Sequence, residues 1–238
     1  MSKQILIDRF FEALTSGNRE AAREMVDECV ATEAPAETIL ERLFWPTLDM
    51  IQTLYRNDQL SVISHHYATR LMRMLCDQMQ LRLERAEPTG QRVLLVSGPD
   101  EPDELQGQIA ADLLEADGYE VYFAGGGIAN DEIVDQVGHL GPALLVMFGS
   151  SPKDLPFIRT LIDLLRDQGT CPDTQIVVGG GVFNRAEGLA EEIGADLWEE
   201  SPLKMIKAIR KHGDRRAVPE QRTVGRRRRS PRAKSAAA

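Results

Sequence analysis

Along the first third of the chain, apolar residues recur at the three- and four-residue spacing that lines one face of a helix. Ile5, Phe10, Phe11 and Leu14 open the pattern, which stops at Ser16-Gly17-Asn18. Asn18 is placed to cap a second helix through Ala21, Ala22, Met25, Val26 and Val30. After Glu33-Ala34-Pro35-Ala36 a third run carries Ile39, Leu40, Leu43 and Phe44. Pro46 then predicts a kink or a new helix start before Leu48, Ile51, Leu54 and Tyr55. Asn57-Asp58 breaks the pattern, and Ser61 is placed to cap a long helix through Tyr67, Leu71, Met74, Leu75 and Met79. Short loops between such helices predict a bundle.

From residue 91 the period changes. Short apolar runs at Val93–Ser97, Glu120–Phe123, Ala143–Phe148 and Gln175–Val178, with a weaker fifth at Asp196–Trp198, read as strands. Helical patterns at Leu105–Asp117, Ile128–Leu140, Leu155–Gln168, Ala186–Ile193 and Ser201–Lys211 separate and follow them. Leu144-Leu145-Val146-Met147 and Ile176-Val177-Val178 are apolar at every position, as strands covered on both faces are. Such alternation predicts an α/β fold with a right-handed, doubly wound parallel sheet. The expected organisation is a helical bundle over 2–87, a joint at Pro88-Thr89-Gly90, a flavodoxin-like five-stranded sheet over 91–211 in the order 2-1-3-4-5, and a tail over 212–238.

The tail changes the reading of charge. The 238 residues carry a net charge of −9, yet 211–238 hold ten Lys or Arg against two Asp or Glu. An acidic body therefore ends in a basic, apolar-poor segment, expected to be disordered. Arg226–Arg229 make it a candidate for weak, non-specific contact with nucleic acid or for an acidic protein partner. No reading motif for nucleic acid accompanies the arginines. No apolar run approaches the ~20 residues of a membrane span. The opening residues lack the apolar stretch of a secretory signal. Cys29, Cys76 and Cys171 are odd in number and scattered, so they predict reduced thiols in a cytoplasmic protein.

In a parallel sheet, ligands sit outside the carboxyl ends of the strands. Three loops are expected on that rim: Gly98–Asp103, Gly149-Ser150-Ser151-Pro152 and Gly179-Gly180-Gly181-Val182-Phe183-Asn184; Gly125-Gly126-Gly127 is a fourth candidate. Glycines let a backbone approach a ligand closely, but strand-to-helix turns need them in any case. None matches the dinucleotide fingerprint or the phosphate-binding loop with its Gly-Lys-Ser/Thr.

A helical cap followed by this sheet resembles the cobalamin (B12)-binding module, found in corrinoid methyltransferase carriers, methionine synthase and light-responsive B12-dependent repressors. The resemblance covers most of residues 5–210. It implies a slot for the nucleotide tail of the cofactor, lined by a hydroxyl at Ser150 or Ser151 and by the pair Gly179-Gly180. It also implies an Asp-x-His-x-x-Gly motif after the first strand, whose His binds cobalt from below. Here the motif departs. One register puts Glu101, Asp103 and Gln106 at its three positions; the other puts Pro102, Glu104 and Gly107 there. Neither supplies a histidine. In the cap, repressors of the family carry Trp, nine residues, then Glu-His. At that spacing this chain has Tyr55 and His65-His66. The resemblance thus implies a cofactor contact by Tyr55 and a cobalt ligand at His65 or His66, whose side chains diverge by about 100° on a helix.

No nucleophile or acid–base constellation marks an enzyme. The reading is a cobalamin-binding regulatory or sensor protein acting through partner contacts. One alternative is a corrinoid methyl carrier beside a separate methyltransferase. Another is a degenerate module that binds heme or no tetrapyrrole.

Overall fold

The computed structural model describes residues 3–217. Helices α1 (Lys3–Thr15), α2 (Arg19–Ala31), α3 (Ala36–Ile39), α4 (Trp45–Arg56) and α5 (Val62–Gln80) form the cap. The caps expected from sequence are present: the Asn18 side chain accepts from the Ala21 amide and Ser61 from that of Ser64. As expected, Pro46 stands in the first turn of a new helix, α4. Leu40–Phe44 forms a π-turn joining α3 to α4, and the Trp45 amide donates to the Leu40 carbonyl. This wider turn absorbs the donor that proline lacks.

The second half contains β1 (Arg92–Ser97), α6 (Glu101–Ala116), β2 (Glu120–Gly125), α7 (Asn130–Leu140), β3 (Leu144–Phe148), α8 (Leu155–Gln168), β4 (Gln175–Gly179), α9 (Gly181–Arg185), α10 (Leu189–Glu192), β5 (Leu197–Trp198) and α11 (Pro202–Lys211). All the pairings are parallel and the order is β2-β1-β3-β4-β5. Two elements differ from the sequence reading. The acidic stretch expected as a loop is largely the first turn of α6, where Pro102 is tolerated because first-turn amides lack helical partners. The helix expected over 186–193 shortens to Leu189–Glu192, behind a turn at Gly188 with φ +83°, and part of the expected glycine loop is itself a short helix, Gly181–Arg185.

Alternation along the strands divides the core. Val93, Leu95, Val146, Phe148 and Val177 face α6 and α11, and their cluster runs on into Phe10, Phe44, Leu48 and Leu75 of the cap. Leu94, Val96, Met147, Ile176 and Val178 face α7 and α8. Cap and sheet thus share one apolar core. A polar seam reinforces the joint: Arg73 Nη1 donates to Gln108 Oε1 at 3.0 Å, and Gln108 Nε2 donates to Asp77 Oδ1 at 2.6 Å.

The chain after α11 is tied down where it is described. Gln175 Nε2 donates to the carbonyls of His212 and Arg215, and the Ala217 amide donates to Asp196 Oδ1. Arg226–Arg229 lie outside the described residues.

Candidate functional site

The carboxyl ends of β1, β3 and β4 are joined by backbone hydrogen bonds. The Gly98 amide donates to the Phe148 carbonyl at 2.8 Å, and the Gly149 amide to the Gly179 carbonyl at 3.1 Å. α6 begins almost at once after β1, which carries Asp103 inward in its first turn. Asp103 is fully buried beside Ser150, and neither carboxyl oxygen completes a hydrogen bond of normal geometry. Burial raises its pKa from 3.8 to about 7; the nearby Ser150 hydroxyl opposes the shift, while Asp154 and Asp100 add to it.

Of the two hydroxyl candidates, Ser150 is buried beside Asp103, and its carbonyl accepts from Arg185 Nη2 at 2.6 Å. Ser151 is engaged in a local capping box. Its oxygen accepts from the Lys153 amide, and its own amide donates to Asp154 Oδ2 at 2.8 Å. Lys153 pairs with Asp100 at 2.6 Å on the outer lip.

The glycine pair has an intramolecular role. Gly179 lies opposite Phe148 in the β3–β4 register. A Cβ on Gly179 would come within 2.8 Å of both the Phe148 ring and the Met205 methyl. Both neighbours are almost fully buried. Gly180 has φ +104°, and a side chain there would strike the Gly149 carbonyl. The space over the pair is therefore filled by the protein's own side chains.

On the cap side, α4 and α5 bring two sets of residues to the joint. Gln52 and Gln106 are 3% and 4% exposed, and Gln106 Nε2 donates to Gln52 Oε1 at 2.9 Å. Their remaining polar atoms, Gln52 Nε2 and Gln106 Oε1, have no partner. One turn beyond Gln52, the guanidinium of Arg56 approaches that of Arg185. Both have a nitrogen within 3.7 Å of where a Gly181 Cβ would stand. Burial lowers the Arg56 pKa and Arg185 lowers it further, with Asp49 and Asp103 opposing.

Tyr55 and His65 meet as stacked rings, centroids 3.9 Å apart. His65 is buried and His66 is exposed. So Asp103 is brought together with Ser150, and Tyr55 with His65. Gly179 and Gly180 face their own packing, and His66 faces outward. Sequence reasoning missed Gln52, Arg56 and Arg185, and named Gln106 only as a position of the departed motif. A signal was present for two of them: Gln52 and Arg56 interrupt the apolar face of α4 at a four-residue spacing.

Among the described residues, no three His, Cys, Asp or Glu side chains are grouped to hold a metal ion. No described helix is long and apolar enough to cross a membrane. A cavity of about 510 Å³ opens between Gly98, Ile128, Asn130 and Phe157, on the α7–α8 side of the sheet. Phe148 also contributes to its wall, whereas Met205 does not.

Comparison with known proteins agrees with this architecture. Two family models, each described as a B12 binding domain, match residues 6–79 and 92–207. Dimethylamine corrinoid protein 1 of Methanosarcina acetivorans is 21% identical over 208 residues, spanning 87% of this chain and 96% of the relative. Its namesake in Methanosarcina mazei is 22% identical over 207 residues, spanning 86% of this chain and 94% of the relative. The solved structure of the Methanosarcina barkeri monomethylamine corrinoid protein superposes with a TM-score of 0.77 at 17% identity, covering 88% of this chain and 99% of that one. That likeness establishes the shared fold. With a B12-binding model over the cap and a second over the five-stranded parallel sheet, this chain belongs to the cobalamin-binding domain family.

Proposed function

We propose that this protein holds a corrinoid between cap and sheet and serves as a methyl carrier beside a separate methyltransferase. The observation that carries the reading is the set of orphaned polar atoms at the joint: Gln52 Nε2, Gln106 Oε1 and both carboxyl oxygens of Asp103. Buried groups left this way cost about 1–3 kcal/mol each. A ligand bearing several amide groups on its edge relieves that cost, and cobalamin is such a ligand.

Cobalamin supplies a cobalt centre that accepts and releases a methyl group. This chain's residues would do the rest. Gln52 and Gln106 would hydrogen-bond the ring edge from cap and rim, and Ser150 would add a hydroxyl. The apolar core shared by cap and sheet would keep the joint registered. The Tyr55–His65 stack would stiffen the adjoining cap helices. Support for a carrier over a regulator comes from the relatives, which are named as methylamine corrinoid proteins and match nearly end to end.

The fit is divided. The joint suits the rim of a corrin ring, whereas the region below Gly179 does not suit an inserted nucleotide tail. No described histidine lies on the strand-end rim: His65 and His66 are on α5, His139 is on α7, and His212 follows α11.

Mixing the full chain with hydroxocobalamin, followed by gel filtration, tests the reading. We expect one equivalent to travel with the protein, and a Q52A/Q106A double variant to bind at least about tenfold more weakly, equivalent to 1.4 kcal/mol. Protein that emerges colourless from concentrations well above micromolar contradicts it.

A further inference from the structure

We infer that this chain binds its corrinoid with the cofactor's own nucleotide base still on cobalt, because the protein has closed the tail slot with Phe148 and Met205. The inference rests on the corrinoid reading above and specifies how the ligand is held.

Three observations converge. The first is the register. Phe148 ends the inward-facing row Leu144, Val146, Phe148, and Gly179 ends the row beginning at Val177. Side chains alternate along a strand, so both ends point toward α6 and α11. With no side chain at 179, the Phe148 ring and the Met205 methyl occupy the vacated volume. The second is burial. Phe148 and Met205 are each 1% exposed, and Leu105 of α6 beside this cluster is fully buried. A close-packed interior has no spare room for a planar heterocycle and its ribose. Entry would require the expulsion of an aromatic ring from the core. The third is the side chain in the first turn of α6. Asp103 is buried with Asp154 and Asp100 nearby, and burial raises its pKa to about 7. A buried carboxyl that is hard to ionise is a poorer ligand than imidazole, so it offers cobalt little to replace the cofactor's base.

These features act in one direction. A base displaced from cobalt would find no room beside Gly179 and no strong substitute ligand left behind at the metal. Retaining the base avoids both penalties. It also explains why a chain with the family's glycine pair lacks the family's histidine: here the glycines serve packing.

Electron paramagnetic resonance of the full chain loaded with cobalt(II) cobalamin tests this. Two samples are compared, one with ordinary cofactor and one whose benzimidazole nitrogens are the spin-one-half isotope. A single axial nitrogen of ordinary isotope splits each cobalt line into a triplet; the spin-one-half isotope splits it into a doublet. We expect the triplet to become a doublet on labelling. A triplet indifferent to the label means a protein imidazole on cobalt and overturns the inference. Unsplit lines mean that the base has left for a carboxylate or water, and also overturn it. Failure of any cobalt signal to remain with the protein after gel filtration is a separate result: it removes the corrinoid reading itself, and this inference with it.

Discussion

The phenol ring of Tyr55 lies on the imidazole of His65, with centroids 3.9 Å apart and planes 17° from parallel. The contact joins the last turn of α4 to the first turns of α5, across the break at Asn57-Asp58. His66, one residue on, is exposed. The two adjacent histidines should therefore behave differently. His65→Ala removes buried stacked area and should cost about 1–3 kcal/mol, whereas His66→Ala should stay within about 0.5 kcal/mol. Urea titrations followed by circular dichroism check both. Equal losses would mean that the stack contributes nothing to the cap.

The Gln52–Gln106 pair makes a second expectation. Replacing either residue alone by Leu leaves a buried amide with fewer partners and should cost about 1–3 kcal/mol. Replacing both removes the two orphaned atoms of the pair, and the double variant should recover much of the loss. A double-mutant cycle measures the coupling directly. Strict additivity would show that the two amides do not depend on each other.

Asp103 makes stability depend on pH. Its carboxyl holds a proton in the folded state up to about 7, against 3.8 when unperturbed, chiefly because it is buried. Asp112 has the same direction and a value of about 7, from burial first and then Glu115 and Asp77. An acid with a raised folded pKa contributes most below its unfolded pKa. Stability is then lost as pH rises toward the folded value and levels off beyond it. A shift of this size corresponds to at most about 4 kcal/mol per group between about pH 4 and pH 7. Without cobalamin, Asp103→Asn should flatten part of that slope and make the protein more resistant to urea than wild type at pH 8. A variant slope parallel to wild type would remove Asp103 from this role.

At Gly179, a methyl group meets the edge of the Phe148 ring and the end of Met205. Gly179→Ala should destabilise the cofactor-free protein by about 1–3 kcal/mol through overpacking. The flexible methionine can yield, so the lower part of that range is expected. A neutral or stabilising result, by thermal melting, would show that the space over the pair is open.

Much of the fold was legible because its signals are local. Apolar runs at Leu144–Met147 and Ile176–Val178 define buried strands, and Asn18 and Ser61 cap the helices that follow them. The break at Gly188 and the π-turn ahead of Pro46 were not legible, because both depend on how neighbouring turns share backbone hydrogen bonds. The site was read less well. Gly179 and Gly180 signal a close approach in sequence, but not what approaches; here it is Phe148, Met205 and the Gly149 carbonyl. Gln52 and Gln106 are 54 positions apart, so their pairing exists only once cap and sheet share a core. Asp103 was singled out as a departure from the family motif; its burial without a completed hydrogen bond required the structure.

In the proposed complex the corrinoid sits at the cap–sheet joint. Hydrogen exchange of backbone amides, with and without saturating hydroxocobalamin, tests it most directly, because protection reports which segments a ligand holds closed. Slower exchange is expected in 52–56, 98–106 and 149–151, and unchanged exchange in α2 and at the opposite ends of the strands around 141–144. Protection confined to α7 and α8, around the cavity beside Phe157, or no change at all in 52–56, would contradict it.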